Sequence, residues 1–276
     1  MSVLDDIISG VREDLRGRQS DIDAASIRAL ALAAAPARDA FATLGGTSDG
    51  TGRDTILRVV SEIKRKSPSK GALADIPEPA ILARQYRDGG ASVISVLTEE
   101  RRFGGSLADF DAVRAAVDLP LLRKDFTVEP YQILEARAHG ADLILLIVAA
   151  LDDATLAELL ALTHDLGMNA LVETHTEEEV DRAVAVGARI IGVNVRNLKT
   201  LDVDRSNFAR LADRIPSTCV IIAESGVRGA DDVADYAAHG ADAILVGEAL
   251  VKDNTPADAV RAFIATGTAA RPARRA

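Results

Sequence analysis

The chain has 276 residues, 48% of them hydrophobic, enough for a large core, and its net charge of −10 argues against a nucleic-acid-binding surface. A single cysteine, Cys219, excludes an intrachain disulfide and fits a reducing compartment. The acidic start MSVLDDIISG does not read as a signal peptide, and the longest apolar run, LILLIVAAL at 143–151, is too short to span a membrane, so the expectation is a cytoplasmic protein with no membrane or nucleic-acid partner.

Two amphipathic helical patterns open the chain, near 3–18 and 23–34, and LGGTSDGTGR at 44–53 reads as a flexible linker. TILRVVSEIK (55–64) is the first strand pattern, and a helical pattern follows at 78–88. DGGASVISVL (88–97) then passes from a helix end through a Gly cap into a strand. The same design returns in AHGADLILLI (138–147), AVGARIIGVN (185–194) and AHGADAILVG (238–247), with Gly-Ala pairs at 90, 140, 187 and 240. A period of about 50 residues suits two strand–helix units, and the intervening strands are present at 119–126, 169–174 and 219–225. Helical patterns at 106–117, 130–139, 153–166, 176–186, 204–214, 229–239 and 256–266 complete the alternation.

Eight nearly continuous apolar strands alternating with helices predict an α/β fold, a (β/α)8 TIM barrel of the phosphate-binding type with an N-terminal helical extension. A doubly wound open sheet is the alternative, and it usually lacks so regular a repeat. The expected organisation is one domain over 1–276: extension and linker at 1–52, barrel at 53–266, disordered basic tail at 267–276. The extension could plug the barrel bottom or cover its mouth. With 3% aromatics and no Trp, the core must be aliphatic.

Barrel chemistry sits where strands end, and residues two apart on a strand share a face. On that count Glu62 and Lys64 point inward, while Leu57, Val59 and Ile63 face the helices. Leu122, Lys124 and Phe126 align inward in the third strand, Leu171 and Glu173 in the fifth, and Ile222 and Glu224 in the seventh; the sixth ends in Asn194 and Arg196. Ionisable groups converging on one mouth shift each other's pKa values, and a desolvated lysine beside another cation becomes a usable acid near neutrality. SEIKRKSPSKG places Arg65, Lys66 and Lys70 beside Lys64, but Arg65 and Lys66 read as solvated loop charges. ESGV (224–227) and VGEAL (246–250) follow the seventh and eighth strands, where barrels build phosphate sites; Gly226 and Gly247 let backbone N–H groups approach an anion, with Lys64 as countercharge. His139 and His239 precede capping glycines and suit helix C-termini. His164 and His175 lack metal-ligand spacing, and Ser67 and Ser225 lack a His placed to activate them, so neither a metal nor a serine nucleophile is expected. Cys219 reads as a small core residue.

The blocks EIKRKSPSKG, SVLTEERRFGGS, PLLRKDF, LVETHTEEEV, IGVNVRNLKTL and IAESGV resemble those of indole-3-glycerol phosphate synthases, in the right order from about residue 53 to 252. The resemblance implies a cofactor-free carboxy-lyase of tryptophan biosynthesis. It would close the ring of 1-(2-carboxyphenylamino)-1-deoxyribulose 5-phosphate with loss of carbon dioxide and water. By that likeness Lys124 is the general acid at the carbonyl oxygen, and Glu173 handles later proton transfers. Lys64 holds the phosphate and serves the dehydration, and Glu62 and Glu224 position lysines or substrate groups. Asn194, Arg196 and Ser67 bind the anthranilate carboxylate or the groups beside it, Ser225 joins the substrate contacts, and Phe103, Phe126 and Leu97 wall the benzene ring. Gly226, Gly247 and Glu248 border the phosphate; Glu248 stands where some relatives carry Ser, so its carboxylate must point away. A monomer or weak homodimer is expected. The residues by themselves also leave open a sugar-phosphate isomerase or epimerase, a flavin-dependent barrel, or a non-catalytic binding barrel.

Overall fold

Short aliphatic and β-branched runs bounded by helix caps become strands, and eight of them close into a parallel barrel in the computed structural model. It describes residues 3–51, 54–68, 71–73, 76–197 and 200–272; Lys70 and the last residues of the expected tail, 273–276, lie outside the described residues. The barrel strands are β1 (Arg58–Ile63), β4 (Val93–Leu97), β5 (Leu121–Lys124), β6 (Leu143–Ile147), β7 (Asn169–Thr174), β8 (Ile190–Asn194), β9 (Val220–Glu224) and β10 (Ala243–Val246). Each pairs with its neighbours in sequence, and β10 closes on β1 with Ser61 opposite Val246. Two two-residue strands, β2 (Lys66–Ser67) and β3 (Gly71–Ala72), form a small antiparallel pair in the first loop, which the periodicity did not signal.

Outside the barrel run α4 (Pro79–Asp88), α5 (Leu107–Ala116), α6 (Pro130–Ala138), α7 (Asp153–Asp165), α8 (Glu177–Ala185), α9 (Asn207–Ala212), α10 (Ala230–Ala238), the single turn α11 (Glu248–Val251) and α12 (Pro256–Ala270). The four repeat glycines turn the chain from helix to strand with φ of 95°, 82°, 84° and 94° at Gly90, Gly140, Gly187 and Gly240, a region costly for residues with a Cβ. His139 and His239 take the C-cap positions of α6 and α10, as expected, and the ring Nδ1 of His239 lies 2.8 Å from the Asp235 carbonyl. Alternation sorts the side chains as read from the sequence. Leu57, Val59 and Ile63 join the shell between strands and helices. Val60, Leu122, Leu145, Leu171, Ile222 and Leu245 fill the barrel interior. Cys219 is buried in the outer shell.

The tail boundary shifts. Helix α12 runs to Ala270 rather than 266, because Gly267 lies flat against Leu57 and the Thr268 hydroxyl accepts the Leu57 N–H at 3.1 Å.

The extension comprises α1 (Val3–Asp21), α2 (Ala24–Ala33) and α3 (Ala40–Thr43), and it serves both ends of the barrel. Leu4 and Ile7 of α1 reach over the mouth beside Phe103 and Phe126. Ile27 and Ala31 of α2 run down the side against Tyr131 and Leu134 of α6. Ala40, Phe41 and Leu44 are buried at the opposite end, where the Phe41 N–H donates to Asn169 Oδ1 at 3.1 Å and Arg189 stacks 3.8 Å from the Phe41 ring. Leu44 is 1% exposed, and the Thr47 hydroxyl donates to the Thr51 carbonyl at 2.8 Å.

Candidate active site

The carboxyl ends of the strands open into one cavity lined by Glu62, Lys64, Ser67, Leu97, Phe103, Lys124, Phe126, Glu173, Asn194, Arg196, Glu224, Ser225, Gly226, Gly247 and Glu248. The structure therefore brings together all the residues singled out from the sequence for catalysis, substrate and phosphate.

Lys124, the last residue of β5, is the hub. Its Nζ lies 3.2 Å from Glu173 Oε2 and 3.4 Å from Glu224 Oε2. The other oxygen of Glu173 accepts from Asn194 Nδ2 at 3.1 Å. Lys64 pairs with Glu62 two residues earlier on the same face, and the Glu62 carbonyl accepts from the buried Tyr86 hydroxyl at 3.2 Å.

These pairings correct one expectation. Lys124 does not sit as a desolvated lysine next to a second cation. Burial opposes its charge, but the carboxylates of Glu173, Glu224 and Glu62 outweigh that, and its pKa rises above the ordinary lysine value. The carboxylates split. Burial disfavours charge on Glu173, yet Lys124, His175 and Asn194 overcome it and hold that group ionised, below the usual carboxylate range. Burial, reinforced by the negative charge of Glu173, pushes Glu224 up to about 8 despite Lys124. Two carboxyls driven apart in this way offer one base and one proton-bearing acid at the same pH. Glu224 Oε1 is buried without a hydrogen-bond partner among the described residues and lies against Gly192.

The space for Glu224 comes from Gly192, an inward position of β8. A Cβ there would lie 2.0 Å from Glu224 Oε1. On the opposite wall the Phe103 and Phe126 rings stand 6.0 Å apart, tilted by 39°, and give an apolar surface with Leu97. At the rim beyond β9, Ser225 and Gly226 both take positive φ, 68° and 77°, and a Cβ on Gly226 would meet Tyr236 Oη at 2.6 Å. Gly247 caps the single turn α11 and packs on the backbone of Glu62, so the two glycine loops and β1 meet at one edge. Glu248 is exposed at that edge. Arg196 donates to the Leu201 carbonyl at 2.9 Å, which fixes its loop.

Three features escaped sequence reasoning. Arg65 is not a merely solvated charge: it pairs with Asp109 of α5 and donates to the Ile76 carbonyl at 3.1 Å, pinning the first loop. His175 lies against Glu173 rather than apart from the site, with Nε2 3.3 Å from Oε1; the strand parity of 171, 173 and 175 was the signal that could have found it. Behind Lys124, Arg123 contacts Glu135 at 2.8 Å and Asp125 at 3.3 Å, and Arg18 of α1 reaches the same Glu135 at 2.8 Å. That buried chain ties the extension to the strand that carries Lys124.

A closed eight-stranded parallel barrel with a charged mouth and two glycine loops after its last strands defines a (β/α)8 barrel of the phosphate-binding type. The family model for indole-3-glycerol phosphate synthase matches residues 4–263, and the chain belongs to that family. It is 68% identical over 270 residues to the indole-3-glycerol phosphate synthase of Paenarthrobacter aurescens, covering 98% of both chains. It is 57% identical over 267 residues to that of Mycobacterium avium, covering 97% of this chain and 95% of the relative. Among solved structures, 3-hexulose-6-phosphate synthase from Salmonella typhimurium superposes with a TM-score of 0.64 at 16% identity, over 78% of this chain and all of that one. Thiamine phosphate pyrophosphorylase from Pyrococcus furiosus gives 0.58 at 15%, over 79% and 98%. These two likenesses concern the fold alone. Among the described residues no helix is long and apolar enough to cross a membrane.

Proposed function

We propose that the mouth of this barrel carries out the family's reaction through the residues assembled there. The enzyme is a carboxy-lyase of tryptophan biosynthesis that acts on a phosphorylated small molecule. In the reaction, 1-(2-carboxyphenylamino)-1-deoxyribulose 5-phosphate closes to indole-3-glycerol phosphate with release of carbon dioxide and water. The substrate is a flexible chain with an anion at each end, so folding its aromatic carbon onto its keto carbon is a large part of catalysis.

The observation that carries this reading is Lys124 held between Glu173 and Glu224 in a largely buried cavity. Lys124 is an ammonium whose carboxylate neighbours hold its proton, so it first donates a hydrogen bond to the keto oxygen. As the ring closes that oxygen becomes an alkoxide, a far stronger base than any amine, and the proton moves to it. Loss of carbon dioxide restores the aromatic ring, and Glu173, kept ionised, serves the proton transfers that follow, accepting the proton lost from the C1′ methylene as water departs. Lys64 meets the phosphate and serves the departing hydroxyl. Glu62 orients Lys64, and Glu224, protonated near neutrality, donates to substrate oxygen or nitrogen. Asn194, Arg196 and Ser67 face the anthranilate carboxylate, and Phe103, Phe126 and Leu97 hold the benzene ring. Ser225, Gly226, Gly247 and the backbone of Glu248 receive the phosphate. The setting that fits is the cytoplasm, with the chain acting as a monomer or weak homodimer.

Mixing the purified protein with the ribulose phosphate and following indole fluorescence tests the assignment directly, because the chain contains no Trp to emit in the background. Product should accumulate with wild-type protein. Lys64→Ala should raise KM and lower kcat together; an unchanged KM would remove Lys64 from the phosphate site.

A further inference from the structure

The proton-transfer carboxylate of the mouth has a second cation behind it. His175 follows β7 by one residue, with its side chain 11% exposed between two carboxylates. Its Nε2 is 3.3 Å from Glu173 Oε1, and its Nδ1 is 3.1 Å from Glu179 Oε2. Glu179 is fixed in place. It stands in the first turn of α8, its N–H donates to the Thr176 hydroxyl at 3.2 Å, and its Oε2 accepts the His175 backbone N–H at 2.7 Å. The neighbouring Glu177 is turned away and paired with Arg210 and Arg214. From α9, Asn207 contributes an uncharged contact, donating to the His175 carbonyl at 3.3 Å. Across the cavity the charged groups on Glu173 are Lys124 and Glu224.

We propose that His175 is a positioning residue, an imidazolium clamped between Glu173 and Glu179 that keeps Glu173 ionised and its second oxygen turned toward Lys124. Nδ1 is hydrogen-bonded to Glu179, while Nε2 lies within ion-pair distance of Glu173 Oε1 without hydrogen-bond alignment, so its hold on that carboxylate is electrostatic and calls for the doubly protonated ring. Burial opposes the charge, but the two carboxylates prevail and raise the imidazole to about 9. Glu173 thus faces a cation on either side of its carboxyl group. The outer one, absent from the substrate's path, would set the pH range in which the base is available. This inference rests on Glu173 acting in proton transfer.

The test combines NMR with pH–rate profiles. In protein carrying labelled histidine, His175 should be an imidazolium at pH 7 and lose its proton toward pH 9. Glu179→Gln should lower that transition by about one pH unit, since one opposite charge is removed. In His175→Gln the acid limb of kcat/KM should move up by about one unit, so that at the pH of the wild-type limb activity falls roughly tenfold, with little change in KM. His175→Lys, a permanent cation, should restore the limb toward its original position. A neutral His175 at pH 7, or an unmoved acid limb in His175→Gln, overturns the proposal, because a purely structural histidine would move neither. Normal turnover by Glu173→Gln would instead overturn the role of Glu173, and the NMR titration would still decide the charge on His175.

Discussion

Gly192→Ala tests whether the position of one carboxyl sets the rate. The added Cβ would lie 2.0 Å from Glu224 Oε1, and contacts of this kind are essentially never shorter than 3.0 Å, so the carboxyl must retreat by about 1 Å. Its other oxygen stands 3.4 Å from Lys124, so the retreat also disturbs the lysine between its two acids. A misplacement of about 1 Å at a reacting centre costs roughly 100-fold in rate, or about 2.7 kcal/mol in the barrier. Crowding the interior should further destabilise the fold by about 1–3 kcal/mol, a few degrees in Tm. Steady-state kinetics by indole fluorescence and a thermal melt measure both effects. The decisive arm is a double-mutant cycle. Glu224→Ala removes the atom that the new methyl strikes, so adding Gly192→Ala to it should cost little more in rate or Tm. Wild-type kinetics in Gly192→Ala, or full additivity with Glu224→Ala, would refute the reasoning.

Lys124→Ala should lower kcat by roughly a thousandfold or more while leaving KM and the circular dichroism spectrum near wild type, because the lysine's interaction strengthens in the transition state; normal turnover would exclude it. Glu224→Gln should raise Tm by an amount that grows with pH. The folded protein holds the Glu224 proton up to about 8 whereas the unfolded chain releases it near 4.5, so wild type loses stability between those values and the gain is constant above. A gain independent of pH would show that Glu224 is not raised. Arg18→Ala leaves Glu135 with Arg123 alone and should cost about 1–3 kcal/mol. It should also raise KM, since α1 carries Leu4 and Ile7 over the mouth, and protease cleavage within α1 would report the undocking.

The barrel was legible because its signals are local and repeated. Gly-Ala pairs about 50 residues apart mark where helices end, and strict alternation assigns faces, which is why Glu62, Lys64, Lys124, Glu173 and Glu224 could be placed on one mouth by parity. What escaped depends on contacts between distant segments. Nothing near Lys124 in sequence announces that Glu173 and Glu224, 49 and 100 residues away, hold its proton, and the expectation of a lysine acidic near neutrality failed for that reason. Gly192 looked like an ordinary strand residue, and its purpose is visible only beside Glu224 on the neighbouring strand. The extension offered two amphipathic helices and a choice between floor and roof. The answer, both, required seeing Phe41 at one end and Leu4 at the other. The pair β2–β3 and the four-residue helices α3 and α11 were too short for any periodicity to develop.

Both ends of the extension are fastened by apolar burial, and the roof carries surface ion pairs besides. At the floor, Phe41 and Leu44 are held by apolar burial. At the roof, α1 meets the loop after β4 through surface ion pairs, Arg101 with Glu13 and Asp14, and Arg102 with Asp6. Dissolved ions screen such pairs over about 8–10 Å and leave hydrophobic burial intact. Ionic strength therefore acts on the outer edge of the entrance, where these arginines sit, while the buried Leu4, Ile7 and Val11 keep α1 seated over the mouth at any salt concentration.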